Sequence, residues 1–533
     1  MIKRKQFNYI NQKYTVPKTF VVKSSTSISG VPHIGNAADV IRHDAAVRAL
    51  KDRGKKVKYI WVGEDMDALR KVPAGIPKHY KKYLGMPVAD LPCPDGCCDN
   101  YSEHFCTLFV ESLRKEFGTN PTFISTAKTY RKGVFHKDIK KIMANVAEVR
   151  SILDQYRKEP LPKDWNPWKP VCDECGKLMT TQVIGEPNAE SVEYQCKDFS
   201  FQKFGSDSAY TDLKGCGHHG QSDLKKGNGK LLWRVEWAML WNTWKVHLEG
   251  AGKEHYMPGG SFWTAGEIAE KILGFAEPYP GKNPIQPYEY ITVGGAKMSA
   301  SVGNTVATWE WPKFAPAEVL RLLFMKKPTK QRDFTYEGIF SVVDELDRFE
   351  KIYFGKEKVE NKKELEDTKR LFAMSMVEMP KKYRAPISFT FLASLSAIHK
   401  EFKDVEKILK DLGHPIIDRA FTKKRFEQAS RWFELYAPER MKYTVQDKSN
   451  VKLDATQQQA VKELVTLLNK KTLTEKQLFG SFRDICEQVN IQPKTFFQTI
   501  YTILINKQQG PKLAPLILAI GQKKAAAILK KTL

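Results

Sequence analysis

One short unit near the start of the chain constrains its fold more than any other feature. Thr19-Phe20-Val21-Val22 reads as a buried strand, and Val40, Ile41, Val47 and Leu50 then recur at helical spacing until Gly54 stops the helix. Val57 to Val62 follows as a second, parallel strand. Strand, helix and strand in that order commit the chain to an α/β sheet with ligands at the C-terminal ends of its strands. Glu64, Asp65 and Asp67 cluster at one such end. At the other, a polar turn from Ser25 to Ser29 runs into His33-Ile34-Gly35-Asn36 at the start of the helix. A glycine there lets a ligand approach the backbone, and the helix offers free N–H groups and the positive end of its dipole.

The chain carries 86 Lys and Arg against 61 Asp and Glu over 533 residues, a net charge of +25 that favours a polyanionic partner, nucleic acid above all. A hydrophobic content of 42% with 11% aromatics excludes a disordered chain. No run of 18 apolar residues is present, so no membrane span is expected. The basic start, MIKRKQFNYINQKY, lacks the apolar core of a secretory signal. A cytoplasmic protein is expected.

From about Pro87 to Lys230 the pattern is irregular, as in an insertion with little core of its own. The α/β character returns with KLLWRVEWAMLWNTW and YEYITVGGAKMSAS, and beyond about residue 310 strand signals vanish in favour of helical periodicity. The expected segments are 1–95 and 231–310 as the two halves of a catalytic domain, 96–230 as the insertion, 311–355 as a helical connection, and 356–533 as an α-helical domain.

Cysteines mark the insertion. Cys172-x-x-Cys175 with Cys196 and Cys216 fits a tetrahedral Zn2+ site, with His218 or His219 as alternatives for one ligand. A second group in CPDGCCDNYSEHFC offers Cys93, Cys97, Cys98 and His104, against the alternative of reduced structural thiols. One or two zinc ions would supply folding energy that packing does not. Cys486, with no neighbour, reads as a core thiol.

Two motifs carry chemistry. In GGAKMSAS, two glycines give a mobile loop, Lys297 a cation, and Ser299 and Ser301 hydroxyls, which suits a clamp on a phosphate leaving group. In WRVEW, Trp233, Glu236 and Trp237 offer an anion and an aromatic wall for a cationic ligand with an apolar stem; a buried helix stripe is the alternative for the tryptophans.

His33-Ile34-Gly35-Asn36 and Lys297-Met298-Ser299-Ala300-Ser301 resemble the two signature motifs of class I aminoacyl-tRNA synthetases. GEDMDALRKVP, LLWRVEWAMLW, GKEHYMPGGSF and GPKLAPLILAIG extend the resemblance, over nearly the whole chain, to the class I lysyl type. The resemblance implies a Rossmann-type catalytic domain with a zinc-containing insertion and a C-terminal all-α anticodon-binding domain. It implies activation of L-lysine by ATP with Mg2+, then transfer to the 3′ end of tRNA(Lys). His33, Gly35, Asn36, Lys297, Ser299 and Ser301 would contact ATP, with His33, Asn36 and Lys297 catalytic, and Ser25 and Ser27 would line the lysine pocket. From the residues themselves, Asp65 at a strand end and Trp233 and Glu236 in WRVEW are the further lysine-binding candidates, and His255, before two glycines, is an ATP-binding candidate with a surface histidine as the alternative. By the same resemblance Cys93, Cys97, Cys98 and His104 fall on a metal element, with Cys93 in place of an aspartate.

Two positions depart from the pattern. Asn36 replaces a second histidine and keeps a donor without a possible charge. Ala300 replaces the second lysine of the loop, which leaves more of the role to Lys297. Rival readings are a class I synthetase for glutamate and a tRNA-binding paralogue without aminoacylation activity. Basic helices with aromatics, such as Lys494 to Phe497 in PKTFFQ, fit an RNA-reading surface.

Overall fold

Strand β1 (Thr19–Ser27) leads into helix α1 (Ile34–Lys51), and β2 (Lys56–Glu64) returns parallel to β1 in full register from Thr19 with Lys56 to Ser27 with Glu64. This is a computed structural model, and it describes residues 17–28, 30–186, 188–201, 211–281, 287–289, 291–298, 304–439, 441–470 and 472–533. β1 is longer than its apolar part. Ser25, Thr26 and Ser27, read from sequence as part of a polar turn, are strand residues, as is Ser24. Their hydroxyls are tolerated inside the sheet because partners exist: Ser24 Oγ lies 3.0 Å from Tyr59 Oη, and Trp61 Nε1 donates to Thr26 Oγ1 at 3.2 Å.

Helix α2 (Tyr101–Lys115) precedes β3 (Thr122–Ser125), which pairs parallel to β2 and completes the order β1-β2-β3. On the other side of β1 the sheet continues through single parallel bridges, Val22 to Leu248 and Leu248 to Tyr279. β1 therefore stands at the point where strand order reverses, and its C-terminal end opens onto the crevice where open α/β sheets bind ligands.

Helices α3 (Thr126–Arg131), α4 (His136–Met143) and α5 (Val146–Asp154) follow β3. Ile139, Ile142, Val149 and Ile152 are buried in the same core as Val62, Trp237 and Trp241. The stretch that looks irregular in sequence thus contains a strand and helices of the main fold. Apart from α2, its apolar residues are spread over short elements that give little periodic signal.

The remaining insertion is small. β4 (Trp168–Pro170) pairs with β8 (Gly229–Leu231), and β5 (Thr181–Ile184), β6 (Ser191–Cys196) and β7 (His219–Asp223) form an antiparallel sheet whose own core is Cys172, Tyr194 and Cys196. Helices α6 (Trp233–Trp244), α7 (Lys253–Tyr256) and α8 (Ser261–Ile268) return to the main core. β9 (Ile291–Val293) pairs with β10 (Ala296–Lys297) and, in parallel, with β11 (Arg332–Phe334). β11 lies beyond residue 310, where sequence signals for strands were absent because it has only three residues.

The chain divides into two compact units, one reaching Trp309 and including Leu323–Phe334, the other Glu310–Leu322 with Thr335–Leu533. Among the described residues the second unit is helical. Asn361, Ser388, Asp418 and Thr474 cap its helices with side-chain oxygens. Phe496, expected at an exposed RNA-reading surface, is 0% exposed and packs on Phe482, whereas Phe479 is 66% exposed. Among the described residues no helix is long and apolar enough to cross a membrane.

Candidate active site and metal centres

The turn after β1 is built as a reciprocal cap. His33 Nδ1 accepts from the Gly35 N–H at 3.0 Å, and Asn36 Oδ1 accepts from the His33 N–H at 2.9 Å. A Cβ on Gly35 would lie 2.7 Å from His33 Cε1, so only glycine lets the imidazole fold back over the turn. Because Nδ1 accepts, the ring proton sits on Nε2, and burial lowers the His33 pKa to about 4. His33 is thus a neutral donor, and Asn36 keeps its amide hydrogens for a ligand.

Met298, which follows Lys297, lies against this turn. Met298 Cε is 3.6 Å from the same Gly35 Cβ position. The chain after the loop pairs with it: Ile34 N–H donates to Val306 O at 3.1 Å and Thr308 N–H to Pro32 O at 3.3 Å. Gly294 and Gly295, at φ 59° and 79°, make the turn that sets Lys297 on β10. Lys297 is exposed, and its carbonyl accepts from Asn304 Nδ2 at 3.0 Å. Ser29, Ser299, Ala300 and Ser301 lie outside the described residues.

Below the crevice is a buried charge network. Lys23 Nζ reaches Glu249 Oε1 at 2.6 Å, and Trp237 and Trp241 donate their indole N–H groups to the same carboxylate at 3.1 and 2.6 Å. Lys230 bridges Asp67 and Glu236, the latter at 2.8 Å, and Tyr130 Oη donates to Glu236 Oε1 at 2.7 Å. Burial, with Asp67 adding, pushes Glu64 up to about 7. The Ser27 hydroxyl faces Asp67 and is buried without a hydrogen-bond partner in good geometry.

Aromatic side chains wall the crevice. Trp233 stacks on Trp237 with centroids 4.5 Å apart, and the His255 ring meets Trp237 edge-on at 5.6 Å. Trp233 Nε1 donates to Ser261 Oγ at 3.1 Å. Burial lowers the His255 pKa.

Asp65 differs from its neighbours. It accepts from Ser102 Oγ, Ser125 Oγ, Thr126 Oγ1 and the Ala127 N–H at 2.5–3.0 Å, so its oxygens tie β2 to α2 and α3. Those four internal donors leave it a structural role, in place of the ligand-binding one expected from its strand-end position.

Both cysteine groups assemble. In each set of four, Cys93, Cys97, Cys98 with His104 and Cys172, Cys175, Cys196 with Cys216, all ligand atoms lie within 4.8 Å of one another. The S···S separations of 3.5–3.8 Å are too long for disulfides. They match the edges of about 3.8 Å of a tetrahedron with metal–sulfur bonds of about 2.3 Å. His104 turns Nδ1 to Cys97 at 3.2 Å and Nε2 to Asp95 at 3.4 Å, the outer carboxylate that orients a ligating imidazole. His218 and His219 are outside the second set.

A family model described as tRNA synthetases class I (K) matches residues 4–378, and one described as anticodon binding domain matches residues 390–533. The chain belongs to the class I lysyl-tRNA synthetases. A lysine–tRNA ligase of Methanosphaera stadtmanae is 32% identical over 522 residues, covering 94% of each chain. That of Methanopyrus kandleri is 31% identical, covering 97% of this chain and 94% of its own. A glutamate tRNA ligase structure from Elizabethkingia meningosepticum aligns at a TM-score of 0.41 with 12% identity, over 97% of this chain and 99% of that one. As a member of this synthetase family the protein is an aminoacyl-tRNA ligase with a class I catalytic domain and a helical anticodon-binding domain.

In this synthetase the structure gathers His33, Gly35 and Asn36 with Met298 and Val306 at one end of the crevice, and Trp233, Trp237 and His255 along its wall. Sequence reasoning missed Lys23, Lys230, Glu249 and Tyr130. The signal was present in part: Lys23 interrupts an otherwise uncharged strand, and a lysine buried there requires an acid.

Proposed function

We propose that this synthetase charges tRNA(Lys) with L-lysine in two steps at the crevice of β1 and α1, in the cytoplasm. The observation that carries the reading is the pairing of the His33–Asn36 turn with the segment following the lysine loop, above an acid-rich floor. In the first step the lysine carboxylate attacks the α-phosphorus of ATP and pyrophosphate leaves. His33 Nε2 and Asn36 Nδ2 donate to the phosphates, aided by the N-terminal dipole of α1. Lys297, with Ser299 and Ser301, stabilises the departing pyrophosphate, Gly35 gives the adenine access to the backbone, and His255 contacts the nucleotide. Mg2+ bound with ATP supplies further charge neutralisation. In the second step a 3′-terminal hydroxyl of tRNA attacks the lysyl carbonyl and AMP leaves. No side chain acts as nucleophile, so orientation and charge stabilisation carry the rate.

Lysine rather than glutamate fits the floor. Among the described residues, Glu64, Asp67, Glu236 and Glu249 meet the cations Lys23 and Lys230, with the exposed Arg70 near Asp67. A surplus of carboxylates favours a cationic side chain, and Trp233 and Trp237 cover its methylenes. Ser25 and Ser27 bound the pocket at the end of β1. Glu236 contributes to this field while held by Lys230, not as a lone anion. Lysine-dependent exchange of pyrophosphate into ATP tests the activation step.

We assign one zinc ion to each cysteine group, held by Cys93, Cys97, Cys98 and His104 and by Cys172, Cys175, Cys196 and Cys216. The first would fix the start of α2, whose Ser102 supports Asp65; the second would reinforce the very small core of the small sheet. Elemental analysis of purified protein is expected to give two zinc ions per chain, falling to one in either Cys97→Ser or Cys175→Ser. An absence of zinc from the wild type would remove both assignments.

A further inference from the structure

Asp65 joins the first cysteine group to the acid at the floor of the crevice. Its two carboxylate oxygens serve different elements. Oδ2 accepts from Ser102 Oγ on α2 at 3.0 Å and from Ser125 Oγ at the end of β3 at 2.5 Å. Oδ1 accepts from Thr126 Oγ1 at 2.9 Å and from the Ala127 N–H at 2.8 Å, both on the first turn of α3. The Asp65 main-chain carbonyl accepts in addition from the Ala89 N–H at 3.0 Å. Ala89 precedes the cysteine group, and Ser102 shares the first turn of α2 with His104. The segment that carries the three cysteines is therefore fastened to Asp65 at both ends. Asp65, Ser102, Thr126 and Ala127 are all buried, so these bonds are shielded from competing water.

From α3 the connection runs on to the crevice. Tyr130, one turn beyond Thr126, accepts from the Leu231 N–H at 3.0 Å and donates to Glu236 Oε1 at 2.7 Å, while Lys230 meets the other oxygen at 2.8 Å. Ligation by Cys93, Cys97, Cys98 and His104 would close the segment between Ala89 and Ser102. That segment consists mostly of proline, cysteine and polar residues, with Leu91 and Tyr101 as its large apolar anchors. We propose that Asp65 is a positioning residue for lysine binding, which holds Tyr130 and Glu236 in register with the metal-bound form of the first cysteine group. This rests on the lysine and zinc assignments above and adds a coupling between them. Filling of the metal group and filling of the lysine pocket then favour each other.

The test withdraws zinc with graded chelator, with and without saturating L-lysine, and counts the metal retained. Coupling of this kind is reciprocal, so lysine is expected to raise about fivefold the chelator concentration that removes one of the two ions. The protected ion is the one that Cys97→Ser lacks. Ser102→Ala removes a single hydroxyl, and Asp65→Asn turns a donor toward Ser102 while its oxygen still meets the Ala127 N–H. Each is expected to abolish the protection and to raise the lysine KM of pyrophosphate exchange about fivefold, with the KM for ATP unchanged. Cys97→Ser should raise the lysine KM to the same extent and add nothing in the Ser102→Ala background. Equal loss of zinc with and without lysine in the wild type would overturn the proposal. So would additive effects of Cys97→Ser and Ser102→Ala, or a fall in kcat with both KM values unchanged, which marks a merely structural role. A wild type whose pyrophosphate exchange does not depend on lysine would instead remove the functional reading, and the coupling with it.

Discussion

Replacing His33 by alanine is expected to slow lysyl-adenylate formation by about 10²-fold or more, the scale for losing one preorganised donor to developing charge. The same change removes the cap from the Gly35 N–H and should cost about 1 kcal/mol of stability. His33→Asn separates the two effects. A shorter side chain with an accepting oxygen can still cap the helix, but it does not project a donor as far as Nε2, so stability should recover while the rate does not. The histidine acts uncharged. Its pKa of about 4 lies below the ordinary 6.5, so raising the pH through 6.5 should not reduce the rate through this residue. The sign for stability is the reverse of a paired histidine: its contribution is present above 6.5 and is lost as pH falls toward about 4. A near-normal rate of adenylate formation in His33→Ala would remove the phosphate role assigned to it.

The second large effect concerns Lys230, which no motif marks. Lys230→Met keeps the unbranched apolar stem as far as Cε and leaves Asp67 and Glu236 buried without their shared cation. Breaking a buried pair in this way costs about 3–5 kcal/mol. The deficit should be largest above neutral pH and shrink on acidification, because orphaned carboxylates regain neutrality by taking up protons. Adding Glu236→Gln to Lys230→Met should restore part of the stability, since one orphaned charge is then gone. Equal unfolding midpoints for wild type and Lys230→Met at pH 8 would show that the network is not holding the floor of the crevice together.

These two residues show what the sequence discloses and what it withholds. The His33 turn was legible because strand, cap and helix are local: each is set by residues within a few positions, and α1 ends by Lys51 with Gly54 in the left-handed region. The cysteine groups were legible because chelation needs fixed ligand types, and the fold brings each set together. The occupation of Glu236 was hidden because it depends on tertiary contacts. Tyr130 lies on α3, and Lys230, though near Glu236 in sequence, is shared with Asp67 after β2, so only the fold reveals that the acid is already paired. Asp65 shows the converse: at a strand end it resembles a ligand group, yet its partners Ser102 and Thr126 belong to helices that sequence placed in an insertion. β3 was missed because its four residues, Thr122–Ser125, include only two apolar ones.

The central claim is that the crevice activates lysine and passes it to tRNA. It is tested most directly by ATP–pyrophosphate exchange with each amino acid in turn, run with and without tRNA(Lys), followed by charging of that tRNA. Exchange and charging are expected with lysine and not with glutamate, and charging should fall with Lys297→Ala. Absence of lysine-dependent exchange under both conditions, or exchange driven by glutamate instead, would contradict the account.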